Sequence, residues 1–511
     1  MTLTEKIGQR LVGGFPGWEM SPDFIRLVRE YKIGNVILFQ HNVESSAQLL
    51  RLCHDIQTLV RRETGHGAFI TIDQEGGAVT RLPQEAVNVP GAMALAATGD
   101  EENARRAAAL TAAELRAFGI NFNLAPVADV NCNPDNPIIG VRSYGDRPEQ
   151  VSRFAAAALE GYLAGGVMAC AKHFPGHGDT AMDSHVSLPC IDKSLEALEA
   201  MELRPFRALI AAGCPGVMTT HILFPQLEPS GVPATMSRRI ITGLLKQRLG
   251  FSGLVVSDCM EMDAIGKYYG SAKGAAEAMA AGVDLVFVSH TAQTLEQAAI
   301  ACREAAEAGA IPAKELDASV EKILRYKQQY CLPPEGTPGR PEALAEAAAL
   351  RGASIALVQG QLPPPGKNPF FCGCADYRAG LVSNQGGGQA FAGFMAGRLG
   401  GDGLVTGKDP GPEEIRAAAE AARGHSAVFV NTYNGHLFPG QGALVRALAA
   451  CGIPMAVIAL RNPYDLRDVP VGAAAVAAWD YSPGTLEVLA SVLTGQTVPA
   501  GRLPVALEAR T

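Results

Sequence analysis

Eight short apolar runs, separated by amphipathic or alanine-rich stretches, constrain this chain more than any other feature of its sequence. They are Arg10–Phe15, Asn35–Phe39, Ala68–Asp73, Ile120–Pro126, Val167–Phe174, Gly216–Ile222, Leu254–Asp258 and Asp284–Ser289. Runs this short and this continuously apolar read as buried strands. Helical stretches lie between most of them: Pro22–Lys32, Ser45–Glu63, Glu101–Phe118, Glu149–Ala164, Lys193–Ala212, Ser237–Leu249 and Ala272–Ala281. Alternation of β and α over this length predicts an α/β fold, a (β/α)8 TIM-type barrel. A doubly wound open sheet is the alternative that strand counting leaves open.

The ends of the runs carry the chemistry. Asp73 closes the third run, Lys172 and His173 the fifth, His221 the sixth and Asp258 the seventh. Any one of these polar endings reads equally well as a helix N-cap. Four together suit a barrel whose carboxyl rim holds a catalytic site. The fifth run opens the densest loop, Lys172-His173-Phe174-Pro175-Gly176-His177-Gly178-Asp179-Thr180-Ala181-Met182-Asp183-Ser184-His185. It brings a cation, three imidazoles and two carboxylates to one strand end. Taken alone, it is also compatible with a solvated loop or a metal site.

A chain of 511 residues is too long for one core and predicts two domains. The texture changes after Tyr330. Residues 331–341 contain four prolines and two glycines and read as a linker. The barrel is therefore expected over 1–330, and a smaller, doubly wound α/β domain over 342–511. The second rhythm begins with a helix at Glu342–Arg351 and a strand at Ser354–Val358. It continues through Leu381–Ser383, Glu413–Ala422, Ala427–Asn431, Gly442–Cys451, Pro454–Leu460, Ala473–Ala478 and Thr485–Leu493. The run Gly386-Gly387-Gly388 lacks the spacing of a dinucleotide loop.

A net charge of −8 without a basic block argues against a nucleic-acid partner. No apolar window of about 18 residues occurs, so no membrane span is expected. The 11 cysteines are odd in number and scattered, and no export signal opens the chain. A reducing, cytoplasmic location is expected. Whether the chain forms an oligomer is left open.

Retaining glycoside cleavage needs a nucleophile and a proton donor about 5–5.5 Å apart. Asp258, held rigidly at a strand end, is the candidate nucleophile. His185 is the candidate acid/base, with Asp183 fixing its tautomer and stabilising the imidazolium. Carboxylates and cations grip sugar hydroxyls by charge-assisted hydrogen bonds. Asp73, Arg81, Arg142, Lys172 and His173 fit that need, whereas His177 and Asp179 are expected to shape the loop.

Several motifs match a known family: Ile72–Gly77 with Arg81, Asn121–Asp129, Arg142–Gly145, the Lys172–His185 loop, and Gly250–Asp258. Through them the chain resembles the family 3 glycoside hydrolases, in their β-N-acetylglucosaminidase (NagZ-type) branch. The Asp183-Ser184-His185 ending marks that branch. The second domain is similar to the family's C-terminal domain through Asn431–Asn434, Pro439–Gln441 and Ala500–Pro504.

The resemblance implies Asp258 as nucleophile and His185 with Asp183 as acid/base dyad. It implies Asp73, Arg81, Arg142, Lys172 and His173 as ligands of a terminal GlcNAc. It implies no metal and no cofactor. The implied substrates are small carbohydrates, muropeptide fragments of cell-wall peptidoglycan recycling or chitooligosaccharides. One departure stands out: the family usually carries an acidic residue after the nucleophile, and here Cys259 follows.

The rival readings are a β-glucosidase or xylosidase of the same family and a GlcNAc phosphorylase, since a neutral histidine does not repel phosphate. Two more belong to other classes: a barrel metallohydrolase using His173, His177, His185 and Asp258, and a non-catalytic sugar-binding protein.

Overall fold

Each of the eight apolar runs becomes a strand in the computed structural model, which describes residues 1–180, 188–378, 383 and 390–508. The strands are β1 Leu11–Gly13, β2 Asn35–Leu38, β3 Phe69–Ile72, β4 Phe122–Asn123, β5 Met168–Phe174, β6 Gly216–Thr219, β7 Leu254–Cys259 and β8 Leu285–Val288. Each pairs in parallel with the next, and β8 returns to β1, so the sheet closes into a barrel. Closure disposes of the open-sheet alternative.

The barrel interior is a layered apolar plug rather than a channel. Phe69 and Phe122 meet edge to face at 5.5 Å, with Met168, Leu254 and Phe287 in the same cluster. The surrounding helices start where side-chain oxygens can cap them. Ser21, Ser45 and Asp100 each accept a backbone N–H of the first turn of Pro22–Tyr31, Ser46–Thr64 and Glu101–Phe118 respectively. The expected helix over Lys193–Ala212 is two helices, Leu195–Ala200 and Leu203–Ala211. Two further helices, Ala292–Glu307 and Ala313–Tyr330, complete the ring.

The connecting segment is pinned to the barrel. The Glu114 carboxylate accepts the Gly339 amide at 2.8 Å, and Arg116 pairs with Glu335 at 3.0 Å. Beyond it lies a second, six-stranded sheet of β9 Ala356–Gln359, β10 Pro369–Cys374, β11 Asp402–Thr406, β12 Ala427–Thr432, β13 Met455–Ala459 and β14 Ala474–Ala477. Its order is β11-β10-β12-β13-β14-β9. All neighbours are parallel except β9, which runs antiparallel to β14. Helices cover both faces, and the sheet is mixed rather than wholly parallel.

The sequence reading missed β10, β11 and the helix Phe391–Leu399. Of the short run expected over Leu381–Ser383, only Ser383 lies within the described residues.

The two sheets share packing. Met93, Ala94, Ala97 and Val141 of the barrel region belong to the same apolar cluster as Val428, Val457 and Trp479. Polar bonds cross as well. Asn462 Oδ1 accepts the Val141 amide at 3.0 Å, and the Asn131 side-chain amide donates to the Tyr464 hydroxyl at 2.7 Å.

Candidate active site

Parallel strands all present their carboxyl ends to one mouth of the barrel. There a cavity of about 480 Å³ opens. Asp258 lines it, together with Asp73, Arg81, Arg142, Lys172 and His173. Six of the eight expected site residues therefore share one wall. Asp183 and His185 lie outside the described residues.

The turn after β3 builds one side. Gly76 and Gly77 take positive φ of 95° and 54°, and their backbones press on residues 89–91. A side chain at Gly77 would meet the Gly91 nitrogen at 2.7 Å. This tight return aims Glu75 inward. Arg142 grips Glu75 in a fork, with Nε to Oε2 at 2.9 Å and Nη2 to Oε1 at 2.8 Å. Lys172 Nζ lies 2.5 Å from Glu75 Oε1 and 2.7 Å from Asp73 Oδ1. Two cations thus share two carboxylates in a dry pocket.

Burial alone would raise the Glu75 carboxyl; Arg142 and Lys172 overcome it and hold the group well below the usual carboxylate range. Burial would likewise depress the Lys172 ammonium, and Asp73 with Glu75 reverses this and raises it. Glu75 and Lys172 therefore keep their charges across the neutral range, and the network offers a sugar both donors and acceptors.

His173 is held from behind. Its Nδ1 and the Asp129 Oδ2 are 2.7 Å apart, and its Nε2 lies 3.4 Å from Arg142 Nη2. A guanidinium can only donate, so Nε2 accepts and the proton sits on Nδ1, donated to Asp129. Asp129 also accepts the backbone N–H of His177 at 2.7 Å. Burial would raise the Asp129 carboxyl, but the His173 and His177 contacts hold it below its ordinary value.

His177 turns its Nδ1 toward the Thr180 hydroxyl at 2.9 Å, and burial, aided by His173, pushes the imidazole down to about 4. Gly178 packs so tightly that an added Cβ would lie 1.6 Å from the Val130 carbonyl oxygen. Asp179 pairs with Lys193 at 2.6 Å. His177 and Asp179 are thus engaged in holding the loop.

Asp258 rises from the carboxyl end of β7. Its Oδ1 accepts the Cys259 amide at 2.7 Å. Burial pushes the Cys259 thiol up to about 12, so this residue contributes its backbone and not a thiolate. His221 does not reach the cavity. Its Nδ1 pairs with Thr235 at 2.9 Å and its Nε2 with the Cys259 carbonyl at 3.0 Å, which buttresses the strand behind Asp258.

Among the described residues, one cluster has metal-ligating side chains close together: Cys132, Asp179 and Glu202. The Lys193 ammonium already sits 2.6 Å from Asp179 and 2.5 Å from Glu202 and supplies the positive charge there. His173 and His177, named in the metallohydrolase reading, direct their Nδ1 atoms to Asp129 and Thr180 instead.

Sequence reasoning missed several contributors. Glu75 and Asp129 lie inside the motifs noted above, and a carboxylate two residues past Asp73 was the available signal for the first. Glu261, whose Oε2 accepts the His290 amide at 2.6 Å, lines the cavity from the loop after β7. Arg378 and Ser383 line it from the second domain, which no spacing within the barrel could reveal.

Comparison with known proteins follows the same division. The model described as Glycosyl hydrolase family 3 N terminal domain matches residues 2–326. Beta-hexosaminidase A of Pseudoalteromonas piscicida is 35% identical over 330 residues, 60% of this chain and 55% of that protein. The chain thus spans about half the length of that relative. A beta-hexosaminidase of Xylella fastidiosa is 37% identical over 287 residues, 55% of this chain and 83% of that one. Among solved structures, a glycoside hydrolase family 3 beta-N-acetylglucosaminidase from Paenibacillus sp. str. FPU-7 matches with a TM-score of 0.93 at 38% identity, covering 100% of both chains.

Proposed function

We propose, on the premise that this chain belongs to glycosyl hydrolase family 3, that it is an exo-acting, retaining β-N-acetylglucosaminidase. Its substrates are small GlcNAc-terminated carbohydrates, muropeptide fragments or chitooligosaccharides. The observation that carries this reading is the gathering of Asp258 with Asp73, Arg81, Arg142, Lys172 and His173 around one cavity at the barrel mouth. The names of the relatives and of the structural neighbour point the same way.

In the first step Asp258 attacks the anomeric carbon. The bond to the leaving oxygen breaks, and His185 Nε2–H gives that oxygen its proton. In the second step water attacks the same carbon, His185 takes the water proton, and the Asp258–sugar ester bond breaks. Asp183 holds the imidazole and stabilises the imidazolium that gives up its proton in the first step and is regenerated in the second; between the steps the ring is neutral. Asp73, Arg81, Arg142, Lys172 and His173 hold the ring hydroxyls, and Glu75 fixes the two cations that do so. The catalytic unit is residues 1–330, followed by the linker and the domain 342–511. The free cysteines, 11 in all, are compatible with the cytoplasmic location we assign. Among the described residues, no helix is long and apolar enough to cross a membrane.

A substrate panel tests the reading: aryl β-GlcNAc, aryl β-glucoside, chitobiose and a muropeptide, each with and without phosphate. Release of GlcNAc from the first, third or fourth is expected, with aryl β-glucoside a poor substrate. Preferred cleavage of the glucoside would overturn the sugar assignment, and GlcNAc-1-phosphate as main product would overturn hydrolysis. A fluorinated-sugar trap should leave its adduct on the Asp258 peptide; inactivated enzyme with that peptide unmodified would overturn the nucleophile assignment.

A further inference from the structure

A second cavity, of about 900 Å³, lies between the barrel and the C-terminal sheet. It meets the first: Gln40 and Ser383 line both. Its position follows from the sheet. The chain runs from β10 outward to β11, then back across β10 to β12, so the order reverses between β10 and β12. Ligands of open α/β sheets bind outside the carboxyl ends of strands at such a reversal. Tyr377 follows β10 and Tyr433 follows β12, and both line the cavity. Arg461 after β13 and Tyr481 after β14 complete that wall.

The chemistry of the wall narrows the occupant. The tyrosine hydroxyls are tied into the protein. Tyr377 donates to the Tyr433 carbonyl at 2.9 Å, Tyr481 donates to the Cys374 carbonyl at 2.9 Å, and Tyr433 accepts from Arg461 at 3.1 Å. What the three rings offer to the cavity is apolar surface. Around them stand cations and carboxylates together: the buried Arg351, Arg461 and Asp480 and the half-buried Asp376. Such a mixture suits neither an anion nor a hydrocarbon. It suits a neutral polyol, which presents C–H faces to rings and hydroxyls to both signs of charge.

We propose that this interdomain cavity is a second saccharide-binding site, adjoining the first through Gln40 and Ser383. The proposal rests on the reading of the first cavity as a sugar site. Arg461 donates to Ser383 Oγ at 2.9 Å, so the wall common to both cavities is anchored by a residue of the second.

Photolabelling of the full-length chain with a diazirine derivative of GlcNAc, followed by peptide mapping, tests it. Two groups of labelled peptides are expected: one from the barrel mouth, and one carrying Tyr377, Tyr433 or Tyr481. Excess GlcNAc should suppress both. Ala348→Trp, on an exposed helix position that lines the second cavity, should reduce the second group at least tenfold and leave the first, whose persistence shows that the variant is folded. Label confined to the barrel, or second-group label indifferent to GlcNAc or to Ala348→Trp, would overturn the proposal. Second-group label without barrel label would uphold it and sink the reading of the first cavity instead; no competable label anywhere would sink both.

Discussion

The two ends of the barrel each bury a lysine, and the surroundings send the two ammonium groups in opposite directions. At the carboxyl mouth, Lys172 lies against Asp73 and Glu75, and its ammonium is held more firmly than in water. At the floor, Lys327 donates to Gln9 Oε1 at 2.6 Å and the Gly34 carbonyl at 2.9 Å, with the Phe69 ring 5.6 Å away. Burial pushes it down to about 7. Both side chains are almost wholly enclosed. What differs is the presence of ionised carboxylates, and that decides whether a dry site keeps a charge or expels it. The mouth concentrates fixed charge where a polar ligand can use it, and the floor is sealed by neutral acceptors.

The largest expected contrast is chemical. Asp258→Ala should lower kcat on an aryl β-GlcNAc by about 10³-fold or more, while the thermal midpoint stays near the wild-type value. Retention of more than about a tenth of the activity would remove the mouth's claim to be the reacting end.

Lys172→Met should come next. It leaves two carboxylates in the dry pocket with one cation fewer, and denaturant unfolding should show a loss of about 3–5 kcal/mol. A loss no larger than that of Lys327→Met would erase the contrast between the two ends.

Glu75→Gln should act more gently. It keeps the shape of the turn but leaves Arg142 and Lys172 without their shared anion, and KM should rise about tenfold with a smaller change in kcat. The sign of its pH dependence is fixed. A carboxyl held low in the folded chain stabilises it above the ordinary glutamate range, and that contribution is lost as pH falls. The stability gap between wild type and Glu75→Gln should therefore narrow in acid.

The smallest effect tests the floor. Lys327 binds its proton more weakly folded than unfolded, so the unfolded chain holds more protons above pH of about 7. Wild-type stability should gain from this group as pH rises from about 7 toward the ordinary lysine range, and Lys327→Met should lack that gain. Parallel stability curves for the two proteins would show that Lys327 does not titrate in this range.

The barrel was legible because its strands are enclosed on every side. Each is a mostly apolar run, and four of them end in charged or polar residues, a contrast that survives in a single sequence. The second sheet was legible only where the same contrast holds, as in Ala427–Thr432 and Met455–Ala459. The strand Pro369–Cys374 escaped because it starts on proline and carries Gly373 between two cysteines. Asp402–Thr406 escaped because it is an edge strand and largely exposed, so little selects for apolar residues.

In the site, six barrel residues that reach into the cavity were read, and the carboxylates that hold them were not. Asp73 and Lys172 announce themselves at strand ends. Glu75 and Asp129 matter through partners distant in sequence, Arg142 and His173. Arg378 arrives from the other domain altogether.

The small helix Ala92–Ala97 extends this dependence beyond the pocket. Met93, Ala94 and Ala97 sit in an oily seam whose other half is the distal sheet. Cutting the chain after Tyr330 would strip that seam bare and leave a greasy scar on the excised fragment. A barrel fragment cut at that point must therefore carry polar side chains at those positions, or it is expected to precipitate.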